Sequence, residues 1–537
     1  METVSLLYPK GYDSYEQDSF TNFDFVDNLG INGLIYLKKD GFLGVPNLDL
    51  KNYFTKNPEV LNYRINVIDD IYNNPGIYDV FCQVVPLIQN ICDMRKVTNQ
   101  SDMTTESNLF SVKILEMYVE IMDILGEGLL KYTVTSQGLK DFCAIVRERY
   151  EGSEYQTLKQ ELSKMETRIG NIKSVTLGIN MDGSLQAQDA GLVSINTKEY
   201  KNGSIVDKLL GKGGEDSFTC MTSLSSILKT LDKHDQLAFQ TTIYHCLNQI
   251  FRRNVRSFEP LINKYFSGST DFLVTVLNDL RFINASMKFV FDMKDRGLSM
   301  CKPVIAPMKD KLCSLKSAYN PMVSIRVPDS NIVTNDFDFD DNGRFYIITG
   351  PNHGGKSVFL YTAGIVQALF QLGIYVPAVS ATISPVDNIF THFPSSDENN
   401  YGKGRLEFEC DKLSKILDKV NEDSMLLLDE AFSSTSGDEA SYIASEVITA
   451  LGIIGLRGLF VTHIHNLPMK VAEFNSHPDN RSKIDNLAAQ MENKEDGKRS
   501  YKLVRTTPDG LSYAKDIAKK YGLELDKIIE RNNEKTI

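Results

Sequence analysis

The sequence predicts a mainly α-helical region followed by an α/β domain that is built on a mostly parallel β-sheet. In the C-terminal part, three short apolar runs have the residue types of buried strands and each leads into polar residues: 345–348, 425–428 and 458–461. Segments with helical spacing separate these runs, and an alternation of strands and helices favours a parallel sheet. Upstream, apolar residues recur every three or four positions over long stretches, which favours helices.

Length and composition indicate an ordinary soluble protein of several units. The chain has 537 residues, of which 42% are hydrophobic and 24% charged, and this length predicts more than one domain. The first residues do not have the pattern of a signal peptide, and no apolar run reaches the length of a transmembrane helix. The eight cysteines are scattered without a C-x-x-C pair, which is typical of thiols in a reducing compartment. We therefore expect a cytoplasmic protein with no membrane segment.

The first functional motif is a glycine-rich loop that fits the phosphate-loop pattern G-x-x-x-x-G-K-[ST]. An apolar run precedes it and helical spacing follows it, an arrangement that points backbone N–H groups at a phosphate. The Lys356 ammonium is expected to reach the β- and γ-phosphates of ATP, and the Ser357 hydroxyl to bind Mg²⁺. A chance match in a glycine-rich turn is the alternative. The candidate binding residues are Gly350, Pro351, Asn352, His353, Gly354, Gly355, Lys356 and Ser357.

Candidate catalytic and metal-binding residues follow the other two apolar runs. Asp429 and Glu430 follow the second apolar run, at the edge where parallel sheets bind ligands. Asp429 is expected to hold Mg²⁺ and Glu430 to deprotonate the attacking water. His463 follows the third run and is expected to sense the γ-phosphate. An isolated acid pair is more often a solvated strand end and a lone histidine is more often structural, but the three motifs in this order predict a Mg²⁺-dependent ATPase.

Longer segments around these motifs extend the pattern beyond the individual site residues. They are 347–357, 372–378, 429–436, 460–463 and 508–514. These segments closely resemble those of the MutS mismatch-repair family, and the resemblance covers roughly residues 320–525. The resemblance implies an ABC-type ATPase whose two sites form at a dimer interface, and hence a homodimer or a dimer with a related subunit.

The resemblance also suggests how the chain is divided. We expect a small N-terminal α/β region over residues 1–56, a helical core and lever region over 57–318, and the ATPase domain over 319–537. A strand is predicted at Ile31–Leu37, and an Asn-Pro step at residues 320–321 is expected to break a helix on entry into the ATPase domain. The predicted helices are Val60–Ile71, Leu109–Leu125, Gln156–Lys173, Leu224–Lys264 and Asp271–Leu298.

Two features of the helical region bear on its partners. Leu158, Leu162 and Met165 begin a seam with coiled-coil spacing, for which packing within its own helical bundle is the preferred interpretation. A β-rich insert at about 174–200, with strands at Val175–Gly183 and Gly191–Asn196, occupies the place of the DNA-gripping clamp of the MutS family. A basic and aromatic patch at 251–258 suits contact with nucleic acid, although a solvated helix face explains it equally well.

Other candidate site residues rest on the resemblance and on register. Ile332 stands where family members place a residue that packs on adenine, and Arg505 is expected to cover the base from the other side; ordinary packing is the alternative for both. Gly404 replaces a family serine that reaches the partner's γ-phosphate, so Arg405 is proposed to act there in trans. The alternative for Arg405 is an ion pair with Glu409 on one helix face.

Departures from the family pattern limit the functional prediction. The N-terminal region is too short for a mismatch-recognition domain and lacks the Phe-x-Glu motif, and the net charge of −12 argues against an extended nucleic-acid-binding surface. The resulting prediction is an ATP-dependent DNA-binding protein of the MutS family, whose dimeric clamp acts on mismatched, branched or otherwise unusual DNA. The alternative is a scaffold or remodelling ATPase that acts on a protein or an RNA-containing partner.

Overall fold

A computed structural model shows a helical part and an α/β part, which pack against each other. It describes residues 4–12, 20–36, 49–100, 107–169, 173–184, 187–202, 219–220, 242, 259–327, 332–394, 404–493, 498–506 and 522–534. Among these residues, no helix combines the length and the apolar character needed to cross a lipid bilayer.

Helices dominate the first part of the chain, and their buried aliphatic and aromatic side chains join one large core. The predicted helices at Val60–Ile71 and Leu109–Leu125 are confirmed, each within a longer helix. The helices are α1 (Asp24–Asn28), α2 (Ile31–Leu34), α3 (Pro58–Asn73), α4 (Pro75–Gln100), α5 (Ser107–Leu129), α6 (Gln137–Glu151), α7 (Ser153–Ile169) and α8 (Glu259–Asp295), with a 3₁₀ helix at Leu50–Tyr53.

The predicted strand at Ile31–Leu37 is wrong, because its first residues form helix α2. Gly30 starts this helix with a left-handed φ of 70°. Ile31 and Leu34 are both buried, and residues three positions apart share a helix face. A run this short is compatible with either period, so its packing decides its conformation.

The predicted end of one helix at Lys264 and the predicted start of the next at Asp271 are also wrong. Helix α8 continues without interruption through this segment, although the segment contains a glycine that disfavours helix. Thr270 is fully buried and its hydroxyl accepts a hydrogen bond from Arg95 of α4, which also forms a 2.7 Å ion pair with Asp271. These tertiary contacts hold the helical backbone. The earlier part of the predicted helix Leu224–Lys264 and the patch at 251–258 lie outside the described residues, apart from residue 242.

Helix α7 ends at Ile169, four residues before the predicted end, and leads toward the β-rich insert. Leu158 and Leu162 are buried in the large core, and the Tyr155 hydroxyl donates to Asp123 of α5 at 2.6 Å. This part of the seam therefore packs within the helical bundle, which was the preferred interpretation of its spacing. The two predicted strands of the insert are confirmed as an antiparallel hairpin. Its strands are β1 (Ser174–Met181) and β2 (Ala187–Asn196), followed by the short parallel pair β3 (Lys201–Asn202) and β4 (Thr219–Cys220).

The α/β part contains two β-sheets. Their strands are β5 (Val304–Ile305), β6 (Cys313–Ala318), β7 (Asn335–Phe339), β8 (Phe345–Thr349), β9 (Ser380–Ile383), β10 (Ile389–His392), β11 (Met425–Asp429), β12 (Arg457–Val461), β13 (Ile484–Asn493) and β14 (Lys498–Arg505). The six-stranded sheet has the strand order β10-β11-β12-β8-β13-β14. Its first five strands run parallel and β14 is antiparallel, so the sheet is mostly parallel, as predicted. The second sheet, β5-β9-β6-β7, is mainly antiparallel and has no counterpart among the predicted strands.

Both faces of the central strands of the six-stranded sheet are buried. Successive residues of β11 alternate between two hydrophobic cores: Leu427 joins the large core, while Leu426 and Leu428 join the other. A strand that is apolar on both faces is typical of a parallel sheet covered by helices. The helices of this part are α9 (Pro321–Arg326), α10 (Lys356–Gln371), α11 (Arg405–Leu417), α12 (Gly437–Ile454), α13 (Val471–Asn475) and α14 (Leu525–Glu534), with 3₁₀ helices at Met308–Asp310 and Leu467–Lys470.

The Asn-Pro step at residues 320–321 lies between strand β6 and helix α9, so the expectation that it breaks a helix is wrong. The Asn320 side chain accepts hydrogen bonds from the N–H groups of Met322 and Val323. The proline occupies the first helical position, where its missing N–H costs nothing. The step therefore begins a helix.

Hydrogen bonds connect the two parts next to the helix that follows the glycine-rich loop. At the end of α10, the Gln371 carbonyl accepts from the Thr55 N–H at 3.0 Å. The Tyr375 hydroxyl donates to Asp69 of α3 at 2.5 Å. Farther along the sheet, Asn28 of α1 donates to the Thr391 hydroxyl of the edge strand β10 at 2.7 Å. Residues from the N-terminal segment thus cover one edge of the sheet and one end of α10.

Candidate active site

The glycine-rich loop connects the end of β8 to the start of α10, as the sequence predicts. Gly350 has a φ of 136°, and a Cβ atom there would lie 2.8 Å from the Cβ of Ala489. A Cβ at Gly354 would lie 2.8 Å from the Pro351 carbonyl oxygen. Both positions therefore require glycine, because the loop passes too close to neighbouring atoms for a side chain. The result is a tight cradle whose N–H groups stand at a helix N-terminus.

Lys356 is the first residue of α10 and lies inside this cradle. Its ammonium group donates to the carbonyl oxygens of Gly350 and Pro351, both at 3.0 Å. Burial lowers the pKa of the lysine, while the nearby charges of Glu430 and Asp429 act in the opposite direction. The cation is therefore held between the loop and the two acids.

Ser357 and Asp429 meet at the carboxyl end of the sheet. The serine hydroxyl donates to Oδ1 of Asp429 at 2.9 Å. Burial raises the pKa of Asp429, against the effect of the hydrogen bond from Ser357, and the charge of Glu430 raises it further. A hydroxyl and a carboxylate oxygen are ligands that Mg²⁺ accepts, together with water and phosphate oxygens. The residues present therefore fit a magnesium ion.

Glu430 projects from a turn with unusual backbone geometry. It has a φ of 52° and Phe432 has a φ of 64°, and residues other than glycine adopt this left-handed conformation at a cost of about 1–3 kcal/mol each. The Glu430 N–H donates to the Val461 carbonyl at 2.9 Å. Its carboxylate Oε1 lies 2.9 Å from Nε2 of His463. The structure thus brings together the acid and the histidine that the sequence predicted from separate strands.

The sequence did not identify Tyr361 and His392 as neighbours of the acids, and it offered Glu409 only as an ion-pair partner of Arg405. Tyr361 interacts with Asp429, and burial together with that charge raises the pKa of its hydroxyl to about 12. Burial also lowers the pKa of His392 to about 4, and the Glu409 carboxylate accepts from the Phe432 N–H at 3.0 Å. Two signals were available: Tyr361 lies four residues after Ser357 on the same helix, and His392 ends the strand next to β11.

A small hollow separates helix α11 from the ends of β10 and β11. Its volume is about 30 Å³, which is enough for a water molecule. The Nδ1 atom of His392 is buried and has no hydrogen-bond partner among the described residues. The residues around the hollow include His392, Arg405, Glu409, Lys412, Asp429 and Glu430.

Arg405 is the first residue of α11, and Gly404 precedes the helix as its N-cap. The arginine Nε lies 3.5 Å from Oε1 of Glu409. This is the helix-face ion pair that the sequence offered as the alternative to a role in trans. The role in trans stays a prediction.

The two residues predicted to hold adenine lie near the second sheet. Arg505 ends β14 and forms a 3.1 Å ion pair with Asp340, and its guanidinium carbon is 5.2 Å from the centre of the Tyr346 ring. Ile332 packs against the large core. Asn335, three residues later, accepts from the Leu503 N–H of β14 at 2.9 Å. The two segments are therefore neighbours, and the base-binding role of both residues stays a prediction.

Two family models match this chain, and together they cover most of it. Residues 346–536 match the model described as MutS domain V, and residues 56–315 match that of the MutS2 N-terminal domain. The chain belongs to the MutS family. Neither of these two models describes a mismatch-recognition domain.

Individual relatives resemble the α/β part of this MutS-family chain. The DNA mismatch repair protein MutS of Chlorobium phaeobacteroides is 39% identical over 170 residues, which are 31% of this chain and 19% of that protein. The protein of the same name from Halothermothrix orenii is 33% identical over 201 residues, or 37% of this chain and 22% of the relative. The one from Prochlorococcus marinus is 34% identical over 171 residues, or 31% and 19%. This chain thus spans about a fifth of the length of these curated relatives.

Proposed function

We propose that this MutS-family protein is a Mg²⁺-dependent ATPase of the ABC type that uses ATP to control its grip on DNA of unusual structure. The observation that carries the proposal is the 2.9 Å contact between Ser357 and Asp429. It joins the helix after the phosphate loop to the end of the acid strand, and Lys356 and Glu430 lie on either side of it.

Each residue of this group has a distinct task in the proposed reaction. The loop N–H groups and Lys356 bind the triphosphate, while Ser357 and Asp429 would hold Mg²⁺, which supplies positive charge to the phosphate oxygens. Glu430 orients the attacking water and accepts its proton. His463 lies 2.9 Å from the Glu430 carboxylate, on the neighbouring strand, and would sense the γ-phosphate.

The contacts between the two parts of the chain support a mechanical link from the nucleotide to the helical region. Helix α10 starts in the phosphate loop, and at its other end the Gln371 carbonyl accepts from the Thr55 N–H at 3.0 Å. The following segment contacts α3 through Tyr375 and Asp69. A shift of α10 would therefore reach the helices that lead to the β1–β2 hairpin.

The β1–β2 hairpin supports DNA as the ligand because it occupies the place of the DNA-gripping clamp of the MutS family. It projects several exposed apolar side chains, among them Ile179, Met181 and Val193, which are 53%, 52% and 68% exposed. Several exposed apolar side chains on one hairpin indicate a binding surface. The net charge of −12 favours the second candidate, a remodelling ATPase that acts on a protein or an RNA-containing partner.

The enzymatic half of the proposal is tested with three proteins. The wild type should hydrolyse ATP in the presence of Mg²⁺. Glu430→Gln should bind ATP normally and hydrolyse almost none, because the water loses its base while the phosphate cradle is intact. Lys356→Ala should instead weaken ATP binding itself. Normal turnover by the Glu430→Gln protein would refute the assigned site.

The DNA half is tested by filter binding with duplex, mismatched, branched and single-stranded DNA, each with and without ATP and over a range of salt concentrations. We expect branched or mismatched DNA to bind more tightly than duplex, with an affinity that changes with ATP and falls as salt rises. Equal and weak retention of all four DNAs would favour the protein or RNA partner.

A further inference from the structure

The turn that carries Glu430 needs an external support. Glu430 and Phe432 both have left-handed φ values, 52° and 64°, although neither is glycine. Such a conformation persists only where surrounding contacts hold it. At the first residue of the turn, the N–H group of Glu430 donates to the carbonyl of Val461 on the neighbouring strand.

The support at the other end of the turn is a side chain from a different element. Oε2 of Glu409, on helix α11, accepts a hydrogen bond from the Phe432 N–H at 3.0 Å. The Phe432 residue is 1% exposed, so its N–H group depends on a partner within the protein. A hydrogen bond to an ionised carboxylate is stronger than one to a neutral acceptor.

The Glu409 carboxylate is itself held in place. Its second oxygen lies 3.5 Å from Nε of Arg405, one helical turn earlier, and the glutamate side chain is only 16% exposed. Arg405 thus neutralises part of the carboxylate charge and limits its rotation. The carboxylate connects the first turn of α11 to the backbone two residues after Glu430.

We propose that Glu409 is a positioning residue for ATP hydrolysis. It fixes the 430–432 turn, so that the Glu430 carboxylate stays against His463 and faces the water that attacks ATP. This inference rests on the proposed ATPase function and deepens it: helix α11, which begins where the family resemblance places the contact with the partner subunit, controls the general base through Glu409.

The first test is the steady-state kinetics of three Glu409 variants. Glu409→Ala should lower kcat by about tenfold to a hundredfold, since a displacement of about 1 Å at a reacting group has an effect of this size. The dissociation constant of a fluorescent ATP analogue should stay within about twofold of the wild-type value, because the phosphate loop is untouched. Glu409→Gln keeps an acceptor oxygen at the same reach and should recover most of kcat, whereas the shorter Glu409→Asp should not. Glu407→Ala, on the same turn of α11 and exposed, is the matched control and should turn over normally.

The deciding test combines Glu409→Ala with Glu430→Gln and measures the residual hydrolysis in single turnovers with excess enzyme. If Glu409 acts through Glu430, adding Glu409→Ala should change the residual rate by less than about twofold. The proposal is overturned if the full single-variant effect persists in this background, or if Glu409→Ala alone turns over like the wild type. If the alanine variant does not fold, the comparison of Glu409→Gln with Glu409→Asp decides, and equal kcat values would overturn the proposal. A wild type without ATPase activity would refute the proposed function instead.

Discussion

The Nε2 atom of His463 lies 2.9 Å from Oε1 of Glu430, across the ends of two adjacent parallel strands. The two side chains are 40% and 39% exposed. Solvent therefore screens the interaction, and it adds little to folding stability. Its consequence is geometric: the imidazole fixes the direction of a carboxylate whose own backbone is in a left-handed conformation.

Replacing His463 should therefore affect catalysis more than stability. We expect His463→Ala to lower kcat by about tenfold to a hundredfold, while the affinity for ATP and the thermal midpoint of unfolding stay close to the wild-type values. His463→Gln retains a polar nitrogen and should recover part of the loss. A His463→Ala protein with wild-type kcat would show that the contact has no catalytic role.

ATP should stabilise a dimer of this protein. The motivation is the resemblance of the phosphate loop and acid strand to those of the MutS family, which implies composite sites that need a second subunit. The Glu430→Gln protein, which is expected to retain ATP, is the best sample. Its mass by light scattering should change from monomer to dimer on addition of ATP and Mg²⁺, with Lys356→Ala as the control that stays unchanged. An equal mass with and without nucleotide would contradict the prediction.

Arg405 has two possible roles, which a mixing experiment separates. In the first, it acts in trans on the partner's nucleotide, and Arg405→Ala lowers kcat by up to about a thousandfold, as arginine fingers do. A dimer of one Arg405→Ala subunit and one Lys356→Ala subunit then has one composite site without either lesion. We expect this mixture to recover activity that neither parent shows.

If heterodimers form but mixing restores nothing, Arg405 acts within its own subunit. The ion pair with Glu409, at 3.5 Å, would then be its function. The same mixing experiment with Glu409→Ala in place of Arg405→Ala is the control. Glu409 contacts the 430–432 turn of its own chain. In the mixed dimer, the subunit with the intact phosphate loop therefore still lacks Glu409. Mixing with Lys356→Ala should restore no activity.

The stability of the helical part should depend on Asp70 of α3. Its carboxylate accepts hydrogen bonds from the N–H and hydroxyl of Thr135 and from the N–H of Ser136, immediately before helix α6. An asparagine would lose the charge and place an amide against these donors. We expect Asp70→Asn to lower the free energy of unfolding at pH 7 by about 2–3 kcal/mol, as measured by urea denaturation.

The difference in unfolding free energy between the wild type and Asp70→Asn should vanish in acid. Burial acts to raise the pKa of Asp70, but the hydrogen bonds from Ser136 and Thr135 outweigh it and the pKa is lowered. Stabilisation by a carboxyl with a lowered pKa is complete above its unfolded-state value, near 4, and is lost as the pH falls through the folded-state value. The difference between wild type and Asp70→Asn should therefore be constant from neutral pH to about pH 5 and shrink below it. A difference that stays constant into strong acid would contradict the role of the charge.

Local sequence patterns were enough to predict the central residues of the candidate active site. A glycine loop between a strand and a helix, two acids after one apolar run and a histidine after another were sufficient to predict Lys356, Ser357, Asp429, Glu430 and His463 as neighbours. The reason is that the carboxyl ends of parallel strands meet at one edge of a sheet. The helices at Val60–Ile71 and Leu109–Leu125 were also predicted correctly, because the helical spacing of their apolar residues repeats several times.

Contacts between residues that are far apart along the chain depend on the fold and could not be predicted from local patterns. Glu409 reaches the Phe432 N–H from another helix, and no local pattern specifies that partner. Strand β5 pairs with β9 across the intervening phosphate loop and helix α10, so the second sheet was missed. The conformations of helix α2 and of the middle of helix α8 were predicted wrongly for the same reason. The residues of these segments are compatible with more than one conformation, so packing against the rest of the protein decides between them.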